Sequence, residues 1–430
     1  MQEPGAPSSV HFSSPSGRIP ALDGVRGVAI LLVMVSHLYG LVWALEGEAP
    51  TQRLDVWANR VAHTGWMGVD LFFVLSGFLI TGILYDAKHS NTYFRSFYAR
   101  RFLRIFPLYY GFLILLLLIA PHVDLLRRAS NVDALRDAQF WYWAYLSNYH
   151  SSIEQISNQQ TFQTAFRHFW SLAIEEQFYL IWPSFVLLLS RRKLMAACVG
   201  LVVIAFFTRM YLQSDAASSW ARLNAPHVFL PARMDTLALG ALLALAVRDG
   251  DLMRRLARYA VPVMALSAAV VAFYFFREKG LSTIDRDTQL IGFTAIALMF
   301  AALLALVVTA APQSRLNRFF SNPYLMFFGQ YAYGLYVVHL LVGFVLADRI
   351  AGRSDLPEFF GSQMPVSAAF GLLGIACSVA AAWVSWHVFE KQFLKLKRFF
   401  PYEDGARVAP ERVSVPVTHA PEPELATRTT

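Results

Sequence analysis

The chain has 430 residues, of which 56% are hydrophobic and only 15% charged, against about 25% charged residues in an average soluble domain. With a mean hydropathy of +0.43, this composition excludes a single water-soluble globular fold and puts most of the chain in lipid. The net charge of +8 does not mark a nucleic-acid binder, because the basic residues fall in short clusters between long apolar runs.

The first twenty residues, MQEPGAPSSVHFSSPSGRIP, are polar and rich in Pro and Ser. They lack the basic-then-apolar pattern of a secretory leader, and residues 1–19 are expected to form a polar tail. A membrane-crossing helix needs about 20 mostly apolar residues. Runs of that kind predict ten spans, at 26–45, 66–87, 104–121, 169–190, 194–212, 231–247, 260–276, 289–311, 325–347 and 368–390. The expected fold is all-α, a polytopic membrane bundle of about ten transmembrane helices over residues 20–398. The Pro-rich stretch 399–430 is expected to be a disordered cytoplasmic tail. The aromatic patch FWYWAYL at 140–146 is too short to span and reads as interfacial or re-entrant.

Basic clusters recur at Lys88–Arg104, Arg191–Lys193, Arg248–Arg258, Arg315 with Arg318, and Lys391–Arg398. They alternate correctly with ten spans when both termini are cytoplasmic, which predicts a multi-pass protein of the cytoplasmic (inner) membrane. Cys198 and Cys377 lie inside apolar runs, so neither a disulfide framework nor a Cys-based metal site is indicated.

Ionisable groups within spans are costly and are candidates for function. The first span holds Arg26 and His37, eleven residues apart. Eleven steps of ~100° close to within ~20° of three turns, so the two side chains share a face, with His37 ~16 Å deeper. A histidine there can serve packing alone; the partners further along the chain favour chemistry. In the second span Asp70, Ser76 and Thr81 are polar, while Gly68, Gly77 and Gly82 permit close helix approach. Asp70 falls near the outer interface, where water alone would satisfy it.

Next, Arg100, Arg101 and Arg104 make one basic helical face at the expected cytoplasmic interface. That face suits phosphate and equally suits ordinary positive-inside anchoring. The fourth span opens HFWSLAIEEQFYLIWP. Glu175 and Glu176 point ~100° apart and cannot both face one site. They are expected in the outer half of the membrane, with His168, Arg233 or a histidine of another span as partner. His339 falls at a similar depth. Arg209 and the Arg233–Asp235 pair sit near outer span ends and read as solvated or ion-paired. No HExxH, carboxylate cage, phosphate-cradling Gly loop or GxSxG elbow is present, and no metal is expected.

LDGVRG with Arg-x10-His, GVDLFFVLSGFLIT, RRFLRIFPLYY, HFWSLAIEEQFYLIWP and YGLYVVH follow one another in this order. Together they resemble the acyltransferase 3 family of membrane O-acyltransferases, over roughly residues 20–398. The resemblance implies ten core helices that move an acyl group, commonly acetyl from acetyl-CoA, onto a hydroxyl of a carbohydrate or glycosylated compound. Arg26 and His37 match the family's essential Arg-x10-His pair. Arg101 and Arg104 match its RxxR motif, and Glu175 matches the first Glu of its S-L-x-x-E motif. Some members carry a fused extracytoplasmic hydrolase-like domain; none is expected in this chain.

The residues read in the same direction. Arg101 and Arg104, with Arg26, would receive the phosphates of acyl-CoA. His37 would take the proton of an attacking hydroxyl or carry the acyl group itself. Asp70, Ser76, Glu175 and His339 would suit an acceptor arriving from the other side: a carbohydrate, a lipid-linked sugar or a glycosylated small molecule. The alternative is a transporter or flippase, for which buried charges are equally natural. It predicts inverted hydropathy repeats and matched helix breaks, and neither is found.

Overall fold

The computed structural model describes residues 19–41, 52–153, 165–214, 219–350 and 357–402. Residues 1–18 of the expected tail 1–19, residues 403–430 of the expected tail 399–430, and the end of the first predicted span at 42–45 lie outside the described residues. Lipid offers the backbone no hydrogen-bond partner, so each spanning segment must satisfy its own N–H and C=O groups. Among the described residues the long elements are accordingly helices, and there is no β-strand.

Ten long helices build the bundle: α1 Pro20–Leu38, α2 Gly68–Asp86, α3 Tyr93–Ile114, α4 Trp170–Leu188, α5 Arg191–Leu212, α6 Leu230–Ala246, α7 Gly250–Arg277, α8 Phe293–Thr309, α9 Pro323–Ile350 and α10 Met364–Ser385. Among the described residues, nine helices are long and apolar enough to cross a membrane. The one outside that set is α4, whose Glu175, Glu176 and Gln177 dilute its apolar character. Its neighbours nevertheless fix its direction. Phe73 meets Trp170, Ser76 meets Tyr179 and Thr81 meets Trp182, so α4 runs parallel to α2. Strict alternation of crossings requires that of two even-numbered helices.

The aromatic patch at 140–146 ends a 12-residue helix, Val132–Trp143, that is too short to cross. Tyr109 and Tyr110 of α3 donate to the carbonyls of Tyr142 and Trp143, at 2.8 and 3.0 Å.

Two glycine crossings set the register. A methyl group at Gly27 would lie 2.0 Å from the Leu325 carbonyl oxygen, and one at Gly329 would lie 1.9 Å from that of Asp23. Backbone therefore touches backbone between α1 and α9, as small residues allow in lipid. From this contact both helices climb ten residues, ~15 Å, to His37 and His339. The same device joins α2 to α6, where a methyl at Gly240 would meet the Val74 carbonyl oxygen at 1.9 Å. At one end, the loops are stitched by Arg248 to Asp86 (2.6 Å), Arg191 to Asp249 (3.0 Å) and Lys88 to the Leu189 carbonyl (2.7 Å). We call this the basic end.

The contacts of α6 with α2 and α5 also carry buried charge. Arg233 donates to Asp70 at 2.6 Å, and Arg209 to Asp235 at 2.8 Å, with all four side chains at or below 1% exposure. Arg209 donates further to the Ala232 carbonyl and Thr294. The sequence reading is corrected here on two counts. Asp70 is not a solvated group at an interface, and Arg233 pairs with Asp70 rather than with Asp235. Arg233 and Asp235 lie two residues apart on one helix and point in different directions; across the parallel α2–α6 crossing, Asp70 falls level with Arg233.

Two consequences are testable by thermal unfolding in detergent. Gly240→Val should lower the midpoint, since forcing extra atoms into a packed contact costs about 1–3 kcal/mol; an unchanged midpoint would mean the crossing tolerates a side chain. Asp70→Ala strands a buried guanidinium and should cost about 3–5 kcal/mol, most of it recovered in the double variant with Arg233→Met. If Asp70→Ala instead folds normally and loses only acceptor binding, Asp70 has the role the sequence first suggested.

Candidate functional site

A cavity of about 900 Å³ lies among α1, α2, α3, α4 and α9. Its wall on α2 extends from Ala87 to Val69, ~27 Å of helix rise, so it is long as well as large. Arg26, Arg100, Arg101, Arg104 and Lys397 line it, against two carboxylates, Asp86 and Glu175. Asp86 is already taken by Arg248 at 2.6 Å, and Arg26 holds Asp23 at 2.7 Å. The cavity is strongly basic.

The arginines reach the cavity because α3 begins earlier than the sequence suggests. It starts at Tyr93, which puts Arg101 ~12 Å and Arg104 ~17 Å into the helix rather than at its mouth. Tyr93 and Tyr98 fasten α3 to α4 by donating to the Pro183 and Leu180 carbonyls, at 2.9 and 2.8 Å. That contact stands Arg101 over the Tyr179 ring, 5.0 Å from its centre. Arg104 stands 5.5 Å from the Trp386 ring centre. Trp386 opens a π-helical turn, Trp386–Glu390, at the end of α10, a local irregularity often found at functional sites. Cation–π contacts hold these guanidinium groups without neutralising them.

On α4, Ser171, Glu175 and Tyr179 recur every fourth residue and face the cavity together. Ser76, Tyr179 and Arg101 are the groups that act electrostatically on the Glu175 carboxylate, and the Ser76 and Tyr179 hydroxyls bond each other. This corrects the expected partners: neither a histidine nor Arg233 serves Glu175. Glu176 is not in the wall, as the 100° step requires.

At the far end, Tyr336 lines the cavity beside Phe72. Its hydroxyl bonds Ser171 at 2.5 Å and donates to the His168 carbonyl at 2.9 Å. Behind it stand three histidines. The ring centres of His37 and His339 are 5.1 Å apart, and those of His168 and His339 4.9 Å. His339 Nδ1 faces the Leu335 and Tyr336 carbonyls at 3.0 and 2.8 Å. Carbonyls only accept, so Nδ1 carries the proton and Nε2 of the neutral ring is an acceptor. His37 Nδ1 lies 2.8 Å from that Nε2 and is therefore the donor. The Nε2 of His37 is left with its lone pair. His168 Nε2 donates to the Tyr336 carbonyl at 2.7 Å, so this one carbonyl orients two imidazoles.

Among the expected site residues, Arg26, Ser76, Arg101, Arg104 and Glu175 line one cavity. His37 and His339 touch each other outside its lining, and Asp70 belongs to the buried ion pair. His339 is thus a partner of His37 before it is anything else. Sequence reasoning missed Tyr179, Tyr336, Lys397 and Tyr402. The spacings Ser171–Glu175–Tyr179 and Tyr333–Tyr336–His339 were the available signals for the first two. Among the described residues, no group of three or more His, Cys, Asp or Glu is placed to hold a metal ion.

Comparison with known proteins follows the same line. The peptidoglycan O-acetyltransferase OatA of Listeria monocytogenes is 28% identical over 337 residues, 75% of this chain and 49% of that protein. The Bacillus subtilis protein named "Putative peptidoglycan O-acetyltransferase YrhL" is 30% identical over 388 residues, 87% of this chain and 54% of its own length. A Staphylococcus aureus (strain COL) protein named "Putative O-acetyltransferase" is 28% identical over 399 residues, 88% of this chain and 57% of its own. The chain thus spans about half the length of the curated relatives it matches. No solved structure matches it. Residues 19–387 match the acyltransferase domain family, and the chain is a member of that family, the acyltransferase 3 family of membrane proteins.

Proposed function

We propose that the chain is an O-acyltransferase that moves an acyl group, acetyl by preference, from acyl-CoA to a hydroxyl of a carbohydrate acceptor. The observation that carries the reading is His37: its Nδ1–H is committed to His339, which leaves the Nε2 lone pair free, and the His339 ring neighbours Tyr336 in the wall of a long cavity lined by cations. The names of the relatives, two of them peptidoglycan O-acetyltransferases, favour a glycan acceptor. A lipid-linked sugar or a glycosylated small molecule presents the same hydroxyl.

In this mechanism Arg101 and Arg104, with Arg26, hold the phosphates of the donor, and the pantetheine arm lies along the cavity toward Tyr336. The thioester passes the Tyr336 ring to reach His37. The acceptor hydroxyl attacks the thioester carbon while His37 Nε2 takes its proton. The C–O bond forms, the C–S bond breaks, and the proton passes from the imidazolium to the departing thiolate, giving the ester and free CoA. His339 holds the reactive tautomer and spreads the positive charge. In a two-step variant the same Nε2 lone pair attacks the thioester first and an acyl-imidazole carries the group. Glu175, held by Ser76 and Tyr179, orients the bound substrate.

We place the basic end in the cytoplasm, where acyl-CoA is made, and the protein in the inner membrane with both termini cytoplasmic. Release of free CoA from acetyl-CoA by purified protein tests the activity. His37→Gln keeps a hydrogen-bonding group but cannot take a proton, and should lower kcat on the order of 10²–10⁴-fold with donor binding intact. Retention of a tenth of wild-type turnover would make the ring a packing residue. Sidedness is read by an impermeant thiol reagent on intact cells, with Cys198 and Cys377 replaced by alanine. His89→Cys, in the basic-end loop, should stay unlabelled and Asp124→Cys should label; equal labelling would end the ten-crossing arrangement.

A further inference from the structure

The last described segment lies outside the family match, which ends at residue 387, yet it forms part of the cavity wall. After α10 and its π-helical turn, a short helix, Lys391–Lys395, and a 3-10 turn, Leu396–Phe399, carry the chain back across the start of α3. Ser96 and Thr92 both donate to the Pro401 carbonyl, at 2.5 and 3.1 Å. Arg100 donates to the Phe400 carbonyl at 3.1 Å and stands 5.9 Å from the Tyr402 ring centre. Arg95 stands 5.6 Å from the Phe400 ring centre. This strap presents Lys397, Pro401 and Tyr402 to the cavity.

Lys397 lies within electrostatic reach of Arg100, Arg101 and Arg104. Among the described residues none of these four cations forms an ion pair with a carboxylate. Four like charges around one space repel each other, and a polyanion between them converts that repulsion into binding. A single phosphate needs one or two such cations; four suit a ligand with several phosphates. Tyr402 adds a half-buried aromatic wall beside them, the kind of surface on which a nucleobase stacks.

We propose that Lys397 and Tyr402 form the head-group subsite of the donor cavity, with Lys397 joining the three arginines on the phosphates and Tyr402 flanking the base of a nucleotide. This rests on the reading of the chain as an acyl-CoA-dependent transferase. It goes further by giving the post-domain strap the job of distinguishing a nucleotide-bearing donor from a bare pantetheine thioester. An anionic lipid head group shares the phosphate chemistry, so the test separates the two sources.

The full chain is reconstituted in phosphatidylcholine nanodiscs, and kcat/KM is measured for acetyl-CoA and for acetyl-pantetheine, which lacks the nucleotide. Lys397→Ala and Tyr402→Ala should each cut the preference for acetyl-CoA by about tenfold, the scale of one lost charge-assisted or stacking contact. Lys397→Arg should retain most of the preference. Lys395→Ala, an exposed neighbour held by Gln392 at 2.8 Å, should leave it unchanged. An intact preference in Lys397→Ala overturns the subsite, as does an equal loss with both donors, which would make the strap structural only. A loss seen only in discs containing phosphatidylglycerol assigns Lys397 to a lipid head group and also overturns it. If the wild type releases a free thiol from neither donor, the transferase reading fails by itself. The subsite then stands or falls on CoA binding by calorimetry, and equal affinity in wild type and Lys397→Ala overturns it.

Discussion

A charge removed from water needs a partner, because an unpaired buried ion costs several kcal/mol. The bundle meets that requirement in two different ways. Around α6 it closes the account internally: Asp70 of α2 with Arg233, and Arg209 of α5 with Asp235, are direct buried ion pairs. Around the cavity it does the opposite. Arg101 and Arg104 are held by aromatic faces and Arg100 by backbone carbonyls, contacts that fix position but leave the positive charge available. The first arrangement is structural. The second leaves a cluster of cations facing one space.

The reactive geometry depends on backbone contact elsewhere. Gly27 and Gly329 let α1 and α9 touch, and the two parallel helices then rise equally to His37 and His339. A slip of one residue would turn one imidazole ~100° away from the other. The proton positions follow from a single helix carbonyl, that of Tyr336, which receives hydrogen bonds from His339 and His168. No acidic residue is needed to choose the tautomer of His37, since its Nδ1–H is directed by a neutral ring.

Among the described residues, the one long helix outside the apolar membrane-crossing set, α4, contributes Ser171, Glu175 and Tyr179 to the cavity wall. Glu175, Glu176 and Gln177 lower the hydropathy of α4. Glu175 faces the cavity beside Ser76 and Tyr179, while Gln177 bonds Asn148 and the Tyr145 carbonyl. Polar residues in a span are tolerable when the bundle surrounds them, and their presence marks where the bundle has something to bind.

Much of this was legible in the sequence, because lipid imposes rules that act locally. Apolar run length fixes the helices, and the ten runs expected from it correspond to the ten long helices found. The eleven-residue step from Arg26 to His37 puts both on one face through helix geometry alone, and the ordered motifs identify the family. Partners were another matter. Asp70, expected near water, pairs with Arg233, 163 residues away; Glu175, expected beside His168, Arg233 or a histidine of another span, lies beside Ser76 and Tyr179. His339 was read as an acceptor contact and holds His37. The strap after α10 fell at the edge of an expected disordered tail, yet it walls the cavity. Helix formation is decided by hydrogen bonds four residues apart and by the apolarity of a single run. Which side chains meet is decided by the crossing and register of helices far apart in the chain, and no periodicity within one helix encodes that.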